Sequence, residues 1–253
     1  MRLITRNPYV YQLEVHGRQV WLKKCGEDKR NWFNVLTNKL FRSCPHLTHL
    51  ALYSAYPPKQ RFLHELEALE YALAHHLPVP KLIFKTRSSF ATENSGIPIH
   101  QVQNQPQERL YINAFKNLQR LHQEGFIHGR PAMRDIVVDE QGKVTFLDLE
   151  ESRVSTLPKL QVRDLILFML DSYRLESVSQ ETRLQELLAW HLTASEAMRT
   201  ELHKTIEFIH HWVWLPTLIL RFRHNRLSQQ YVALHGLLRR YEQETSTQTV
   251  VKF

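Results

Sequence analysis

Glycine, proline and cysteine are all scarce in this chain of 253 residues. Only 7 glycines and 11 prolines occur, which excludes collagen-like and low-complexity chains and favours a compact, helix-rich protein. The two cysteines, Cys25 and Cys44, exclude a disulfide framework and lack the spacing of metal ligands. This cysteine usage fits a reducing cytoplasm.

The sequence also lacks a long apolar run. Its most apolar segment, IEFIHHWVWLPTLIL at residues 206–220, has 15 residues and includes two histidines and a proline. A helix that spans a bilayer needs about 20 apolar residues. The first ten residues, MRLITRNPYV, lack the apolar core of a signal peptide. We therefore predict a chain that is not integral to a membrane.

Acidic residues are outnumbered, since the formal net charge is +8 and the pI is about 9.5. This excess predicts an anionic partner: a nucleotide, a nucleic acid, a phospholipid surface or a phosphorylated glycan. The sequence has no aromatic and basic platform of the RNA-binding type, which argues against nucleic acid. The 15 histidines show no H-E-x-x-H or Cys/His spacing, which argues against zinc. No signal indicates an oligomeric state.

Hydrophobic periodicity divides the chain into a β-rich first third and an α-rich remainder. Residues 9–25 are typical of two strands joined by a hairpin at His16 and Gly17. Residues 60–76 and 110–124 have the apolar spacing of helices, and everything after residue 160 has a helical pattern. The sequence therefore predicts an α+β fold with a β-rich lobe over residues 1–98 and a helical lobe over residues 99–253.

A basic helical segment is predicted within an insertion at about residues 26–58. Residues 29–42, KRNWFNVLTNKLFR, place an apolar stripe on one side of a helix and bases elsewhere. The stripe consists of Trp32, Phe33, Leu36 and Leu40, and the flanking bases are Lys29, Arg30, Lys39 and Arg42. Two interpretations stay open: docking on an anionic membrane or lipid-linked acceptor, or packing against the small lobe.

The stretch FIHGRPAMRDIVVDEQGKVTFLDLEES, residues 126–152, contains the main chemical motif. A kinase catalytic loop has the form H-x-D-x-x-x-x-N, and a metal-binding aspartate follows at the end of a strand. Here His128 opens the loop, Arg130 takes the place of the proton-accepting aspartate, and Asp135 takes the place of the asparagine. Asp148 follows an apolar strand. Because Mg²⁺ prefers oxygen ligands, Asp135 and Asp148 are predicted to hold it.

Two further positions match parts of a phosphate-binding site. Val20-Trp21-Leu22-Lys23 is similar to the V-A-I-K strand whose lysine holds nucleotide phosphates, and Glu65 lies where its helix partner is expected. Lys24 competes for this role on the opposite face of the strand. No G-x-G-x-x-G precedes the strand, so a glycine-rich lid is missing or replaced.

The order of these motifs resembles the bacterial lipopolysaccharide kinase group (WaaP, InaA and the Kdo kinases) within the protein-kinase-like superfamily. The resemblance covers about residues 8–175 and rests on Lys23, Glu65 and the segments HHLPVPKL, HGRPAMRDI, FLDLE and RDLILFML. It implies a bilobal kinase-like fold, ATP and Mg²⁺ in the cleft and a sugar or lipid hydroxyl as acceptor. It also implies a helix aspartate, Asp164, that braces the catalytic loop. Glu93 and Ser95 are further predicted to contact the nucleotide.

Arg130 leaves the function open between two main hypotheses. General base catalysis typically contributes about 10²- to 10⁴-fold, but phosphoryl transfer depends mostly on positioning and charge neutralisation. An arginine in the loop can also bind a phosphate bidentately. We predict either a cytoplasmic phosphotransferase, peripheral on the inner membrane face, or a pseudokinase that regulates a partner. His128 is expected to hold the loop rather than act as the base. A nucleic-acid-linked ATPase ranks third.

Overall fold

The computed structural model describes residues 2–6, 9–26, 28 and 55–250. Its first part is an antiparallel sheet of five strands in the order β1-β2-β3-β5-β4. The strands are β1 (Arg2–Arg6), β2 (Val10–Val15), β3 (Arg18–Lys24), β4 (Leu82–Lys85) and β5 (Ser89–Glu93). The predicted basic helix over residues 29–42 lies outside the described residues.

The hairpin between β2 and β3 turns where the sequence predicts. His16 and Gly17 both have positive φ, 51° and 75°, and a two-residue turn with positive φ at both positions suits the twist of paired strands. Val15 pairs with Arg18 across this turn. Strand β1 was not predicted, because its five residues carry no turn signal of their own and their pairing comes from β2.

Helix α1 (Pro58–Ala74) packs beside the sheet. It begins with a proline in its first turn, where the missing N–H costs nothing, and it buries Phe62, Leu66 and Leu69. A helix in this region is therefore confirmed, although it begins and ends two residues before the predicted 60–76. It ends because His76 adopts a positive φ of 53°, and the Leu77 amide then donates to the Ala72 carbonyl at 2.9 Å.

The remainder of the described chain is mainly helical, as predicted. The helices are α2 (Gln107–Gln123), α3 (Pro158–Ser172), α4 (Gln180–Thr193), α5 (Glu196–Trp212), α6 (Trp214–Phe222) and α7 (Arg226–Val250). Short strands line the base of this lobe: β6 (Ile97–Pro98), β7 (Phe126–Ile127), β8 (Ile136–Val138), β9 (Val144–Phe146) and β10 (Arg153–Val154). Strands β6, β8 and β9 form one antiparallel sheet, and β7 pairs with β10.

The helical lobe has an aromatic core. Tyr111 and Phe115 of α2 and Phe168 of α3 are fully buried, with ring centroids 5.6–6.1 Å apart. Such ring contacts add to the burial of apolar area. The α+β prediction of a small β-rich lobe followed by a helical lobe is confirmed. The exact boundary between residues 98 and 99 stays a prediction.

Candidate nucleotide and metal site

Lys23 is the centre of a cluster of acidic side chains between the sheet and helix α1. Its Nζ lies 2.5 Å from Glu65 Oε2 and 2.9 Å from Glu150 Oε1. Carboxylate oxygens of Glu65, Glu150 and Asp148 all lie within 4.8 Å of one another. Burial lowers the pKa of Lys23, but these three carboxylates outweigh it and raise the pKa above its ordinary value. Lys23 is therefore a fixed positive charge.

The alternation of strand β3 separates Lys23 from Lys24. Successive side chains of a strand point to opposite faces, so only one of the two lysines can face helix α1. Lys24 instead lies over the ring of Tyr11, 4.9 Å from its centroid. Lys23 is thus the lysine that reaches Glu65.

Two members of this cluster were not predicted to lie beside Lys23. Asp148-Leu149-Glu150 stands where kinases carry the D-F-G segment, and Glu150, its third residue, contacts Lys23 directly. Arg61 Nε lies 3.7 Å from Glu150 Oε2, and both side chains are buried. Arg61 precedes Glu65 by one helical turn, so it shares a face of α1 with it. The spacing of Arg61 and Glu65 was the signal in the sequence by which Arg61 could have been assigned to this cluster.

Burial also affects the protonation of Glu65. It raises the pKa of this carboxyl to about 7, although the Lys23 ammonium opposes the shift.

Glu65 and Glu150 both contact Lys23, whereas Asp148 lies at the edge of the cluster with 22% of its side chain exposed. Asp148 is therefore the carboxylate of this group that solvent, or a ligand, can reach.

The loop that follows strand β7 is held by Asp164 of helix α3. The Asp164 carboxylate accepts the backbone N–H of His128 at 2.7 Å and that of Gly129 at 2.9 Å. Arg163, its neighbour, donates to the Gly129 carbonyl at 2.8 Å. Asp164 is completely buried, so these hydrogen bonds to a charged acceptor are strong. The predicted bracing contact is present.

Gly129 permits this geometry because it has a φ of +87°, and a Cβ there would lie 2.1 Å from the Glu151 carbonyl oxygen. We expect Gly129→Ala to destabilise the protein by about 3 kcal/mol or more, since backbone strain alone costs about 1–3 kcal/mol. Gly17→Ala is the matched control: its φ is +75° but nothing lies within 4 Å. Urea denaturation of both variants measures the difference, and equal losses would contradict the close approach.

Arg130 binds the predicted metal ligand. Its guanidinium Nη2 donates to Asp148 Oδ2 at 2.7 Å. Asp148 adopts a left-handed backbone conformation, with a φ of 58°, which is rare for a residue other than glycine and is typical of functional sites. Arg130, which stands where kinases carry the loop aspartate, therefore neutralises the charge of Asp148.

Asp135, the other predicted metal ligand, lies close enough to Asp148 for their charges to interact. Burial raises the pKa of Asp135, the Asp148 carboxylate adds to the shift, and Arg134 opposes it. Arg134 Nε lies 3.3 Å from Asp135 Oδ2. The Asp135 carbonyl accepts the Leu147 amide at 2.7 Å, which ties the loop to the segment that carries Asp148.

His128 is placed to hold the loop. Its side chain is buried, and burial lowers its pKa, so the imidazole is neutral. Because a carbonyl oxygen only accepts, His128 Nε2–H donates to the Leu147 carbonyl at 2.9 Å. The imidazole connects the loop to the strand end before Asp148, as expected for a structural role.

Glu93 is the last residue of β5, and Ser95 lies in the connector between β5 and β6. The Glu93 amide donates to the Lys81 carbonyl at 3.0 Å, and its carboxylate lies 3.8 Å from Lys81 Nζ. A cavity of about 620 Å³ is lined by the neighbouring Asn94 and Gly96. The nucleotide contacts of Glu93 and Ser95 stay predictions.

The residues present fit a hard divalent cation. Asp148 and Asp135 supply carboxylate oxygens, and burial, followed by the Asp148 carboxylate, raises the pKa of Asp135. Mg²⁺ prefers such oxygen ligands and usually binds one or two carboxylates together with substrate phosphates. The fit requires Arg130 to release Asp148, with which it is paired.

No protein-family model matches the chain. An uncharacterized protein of Haemophilus influenzae is 29% identical over 224 residues, which are 86% of this chain and 84% of that protein. A solved complex of the Rio2 kinase from Chaetomium thermophilum with ADP, Mg²⁺ and phosphoaspartate is similar with a TM-score of 0.48. The two are 16% identical, and the similarity covers 82% of this chain and 70% of that chain.

The candidate site combines elements of both lobes. A strand lysine pairs with a helix glutamate beside an antiparallel sheet. A loop braced by Asp164 and a strand-end aspartate follow in the helical lobe. These elements come in the chain order that the motif analysis predicts.

Proposed function

We propose that this protein is an ATP-dependent phosphotransferase with a lipid-linked hydroxyl, of the lipopolysaccharide sugar type, as its acceptor. The observation that carries the proposal is the Lys23–Glu65 pair at 2.5 Å, in which a Glu65 carboxylate oxygen lies within 4.8 Å of a carboxylate oxygen of Asp148. A lysine fixed by a helix glutamate, beside a metal-binding aspartate, is the arrangement that protein kinases need for phosphoryl transfer. The sugar-type acceptor is supported by the motif resemblance and the basic charge.

In this proposal each residue near the phosphates has a separate task. Lys23 donates to nucleotide phosphate oxygens, and Glu65 fixes its position. Asp148 and Asp135 would hold Mg²⁺, which would neutralise part of the negative charge of the phosphates. The acceptor hydroxyl oxygen forms a bond to the γ-phosphorus while the bond to the bridging oxygen of ADP breaks. Because this transition state is loose, the hydroxyl proton can leave late, to water.

A second candidate function is that of a pseudokinase, a nucleotide-binding regulator without turnover. The Arg130–Asp148 ion pair at 2.7 Å supports it, because a guanidinium on this carboxylate takes the place of the metal charge. Phosphate affinity would then come from arginine and lysine alone. The two candidates share nucleotide binding and differ in their need for Mg²⁺ and in transfer.

Thermal unfolding with ATP, with and without Mg²⁺, is the first test. The phosphotransferase proposal expects a higher melting temperature that depends on Mg²⁺, together with transfer of label from γ-labelled ATP to a lipid-linked sugar. A shift with ATP that is independent of Mg²⁺, with no transfer, supports the pseudokinase. If the melting temperature stays unchanged at every nucleotide concentration, ATP is not a ligand and both proposals are wrong.

Lys23→Met is expected to lower the free energy of unfolding by about 3–5 kcal/mol, because it leaves buried carboxylates without their cation. Lys24→Met is the matched control, since its side chain is on the exposed face beside Tyr11; such surface changes stay within about 0.5 kcal/mol. Urea denaturation of both variants measures the effect. If both lose the same amount, Lys23 is not the buried partner of Glu65.

A further inference from the structure

Helix α6 has no buried residue, although six of its nine residues are large and apolar. Five of these side chains are exposed, from Ile219 at 37% to Phe222 at 84%. They are Trp214, Leu215, Leu218, Ile219 and Phe222. Exposed apolar patches of this kind on a folded protein mark interaction sites rather than chance exposure.

The exposed apolar residues form one continuous face. At 100° per residue, the five side chains fall within an arc of about 140°. Pro216 and Leu220 lie on the opposite side of the helix and are half-buried, and α6 packs on α7. The face is extended by Trp212, whose ring stacks on that of Trp214 with centroids 6.2 Å apart. We call these six residues the α6 face.

The chain around the α6 face is basic and contains no acid. Residues 208–241 include no aspartate or glutamate. Arg221, Arg223 and Arg226 are all exposed, at or just beyond the end of the helix. Within the described part of the chain, no ion pair joins any of the three to an acidic residue. The surface beside the face is therefore unneutralised.

We propose that the α6 face and the three arginines dock on an anionic phospholipid surface. A short helix with Trp, Leu and Phe on one side and bases beside them lies in the membrane interface, its apolar side chains among the acyl chains. The phosphate-rich surface complements the acid-free arginine cluster, and each base near it strengthens binding. An apolar partner alone would not require these charges.

The helix cannot cross the bilayer. Nine residues extend only about 14 Å, whereas the hydrocarbon core is about 30 Å thick. Among the described residues, no helix is both long and apolar enough to span a membrane. Helix α6 would therefore lie parallel to the surface, with Trp212 and Trp214 at the level of the headgroups. Docking at this surface would bring the protein to a lipid-linked acceptor, and only this consequence rests on the proposed function.

Co-sedimentation with vesicles tests the proposal in the absence of nucleotide. We expect the full chain to bind vesicles of phosphatidylcholine mixed with phosphatidylglycerol, and binding to weaken as salt rises. Arg221→Gln, Arg223→Gln and Arg226→Gln combined should weaken binding about 100-fold. Leu218→Ser with Phe222→Ser should weaken it by about tenfold or more. These side chains are exposed, so both variants should unfold at the parental urea concentration.

Two control variants carry changes of the same kind elsewhere. Arg87, Arg109 and Lys116 are exposed outside helix α6, and changing all three to Gln removes the same charge. Leu192 is 74% exposed on helix α4, and Leu192→Ser removes an apolar side chain. Both controls should bind anionic vesicles as the parent does.

Several results would overturn the docking surface. Equal loss of binding in the arginine variant and its charge control would leave only non-specific attraction. Loss of binding only when the four bases of residues 29–42 are changed to Ser would move the contact to that segment. Absence of vesicle binding, with a dimer in light scattering that Phe222→Ser dissolves, would assign the face to a second copy. The vesicle test is done without nucleotide, so it is independent of the thermal unfolding test with ATP. If the protein binds vesicles but its melting temperature does not respond to ATP, the proposed function is contradicted and the docking surface is supported.

Discussion

Asp148→Asn should abolish the Mg²⁺-dependent part of ATP binding while leaving the fold intact. The amide keeps the shape of the side chain and can still accept a hydrogen bond from Arg130, but it loses the charge that holds the cation. At an ATP concentration 100 times the dissociation constant, the parent gains about 2.7 kcal/mol. For a chain of this size, that gain raises the melting temperature by about 5–10 °C. In Asp148→Asn the increment due to Mg²⁺ should vanish.

Glu176→Gln is the control for this experiment. Glu176 is an exposed carboxylate in the turn between helices α3 and α4, so its loss changes the net charge equally without touching the cluster around Lys23. It should respond to ATP and Mg²⁺ as the parent does. If Asp148→Asn also binds Mg-ATP like the parent, Asp148 is not the metal ligand and the DFG-type assignment is wrong.

Local patterns predicted the elements that local interactions stabilise. The β2–β3 hairpin has a turn that needs two residues of positive φ, and its strands are neighbours in sequence. Helix α2 ends just before Gly125, whose φ of 66° suits the predicted cap. Strand β1 and the pairing of β3 with β5 were not predicted. The β3–β5 pairing joins segments about 70 residues apart, so tertiary contacts decide it.

The same distinction applies to the candidate site. Lys23, Glu65 and Asp148 could be found because their order and spacing follow a known motif. The choice between Lys23 and Lys24 needed the structure, since period-two alternation gives each lysine one face without saying which face meets helix α1. The contact of Lys23 with Glu150, and the nearby Arg61, join segments about 90–130 residues apart. No local pattern encodes such a contact.

Arg130→Ala should weaken ATP binding in the absence of Mg²⁺ by about tenfold or more, since a hydrogen bond to a charged group contributes about 1.5–3 kcal/mol. Arg130 is 49% exposed. An ion pair as exposed as this one contributes about 0–1 kcal/mol. A nucleotide phosphate can therefore take Arg130 from Asp148 at little cost. Calorimetric titration of ATP into Mg²⁺-free protein measures the change.

The same variant should bind Mg²⁺ more tightly than the parent, because Asp148 loses its competing cation. Arg130→Lys is the matched control: it keeps the charge but not the planar, bidentate donor pair, so its ATP affinity should fall between those of the parent and Arg130→Ala. Arg130→Asp tests the alternative. If the arginine is a phosphate clamp, turnover should change by less than about tenfold, whereas a restored general base would raise it by about 10²- to 10⁴-fold. A gain of that size would show that the loop is a kinase loop deprived of its base, and that the Arg130–Asp148 pair suppresses activity rather than binding phosphate.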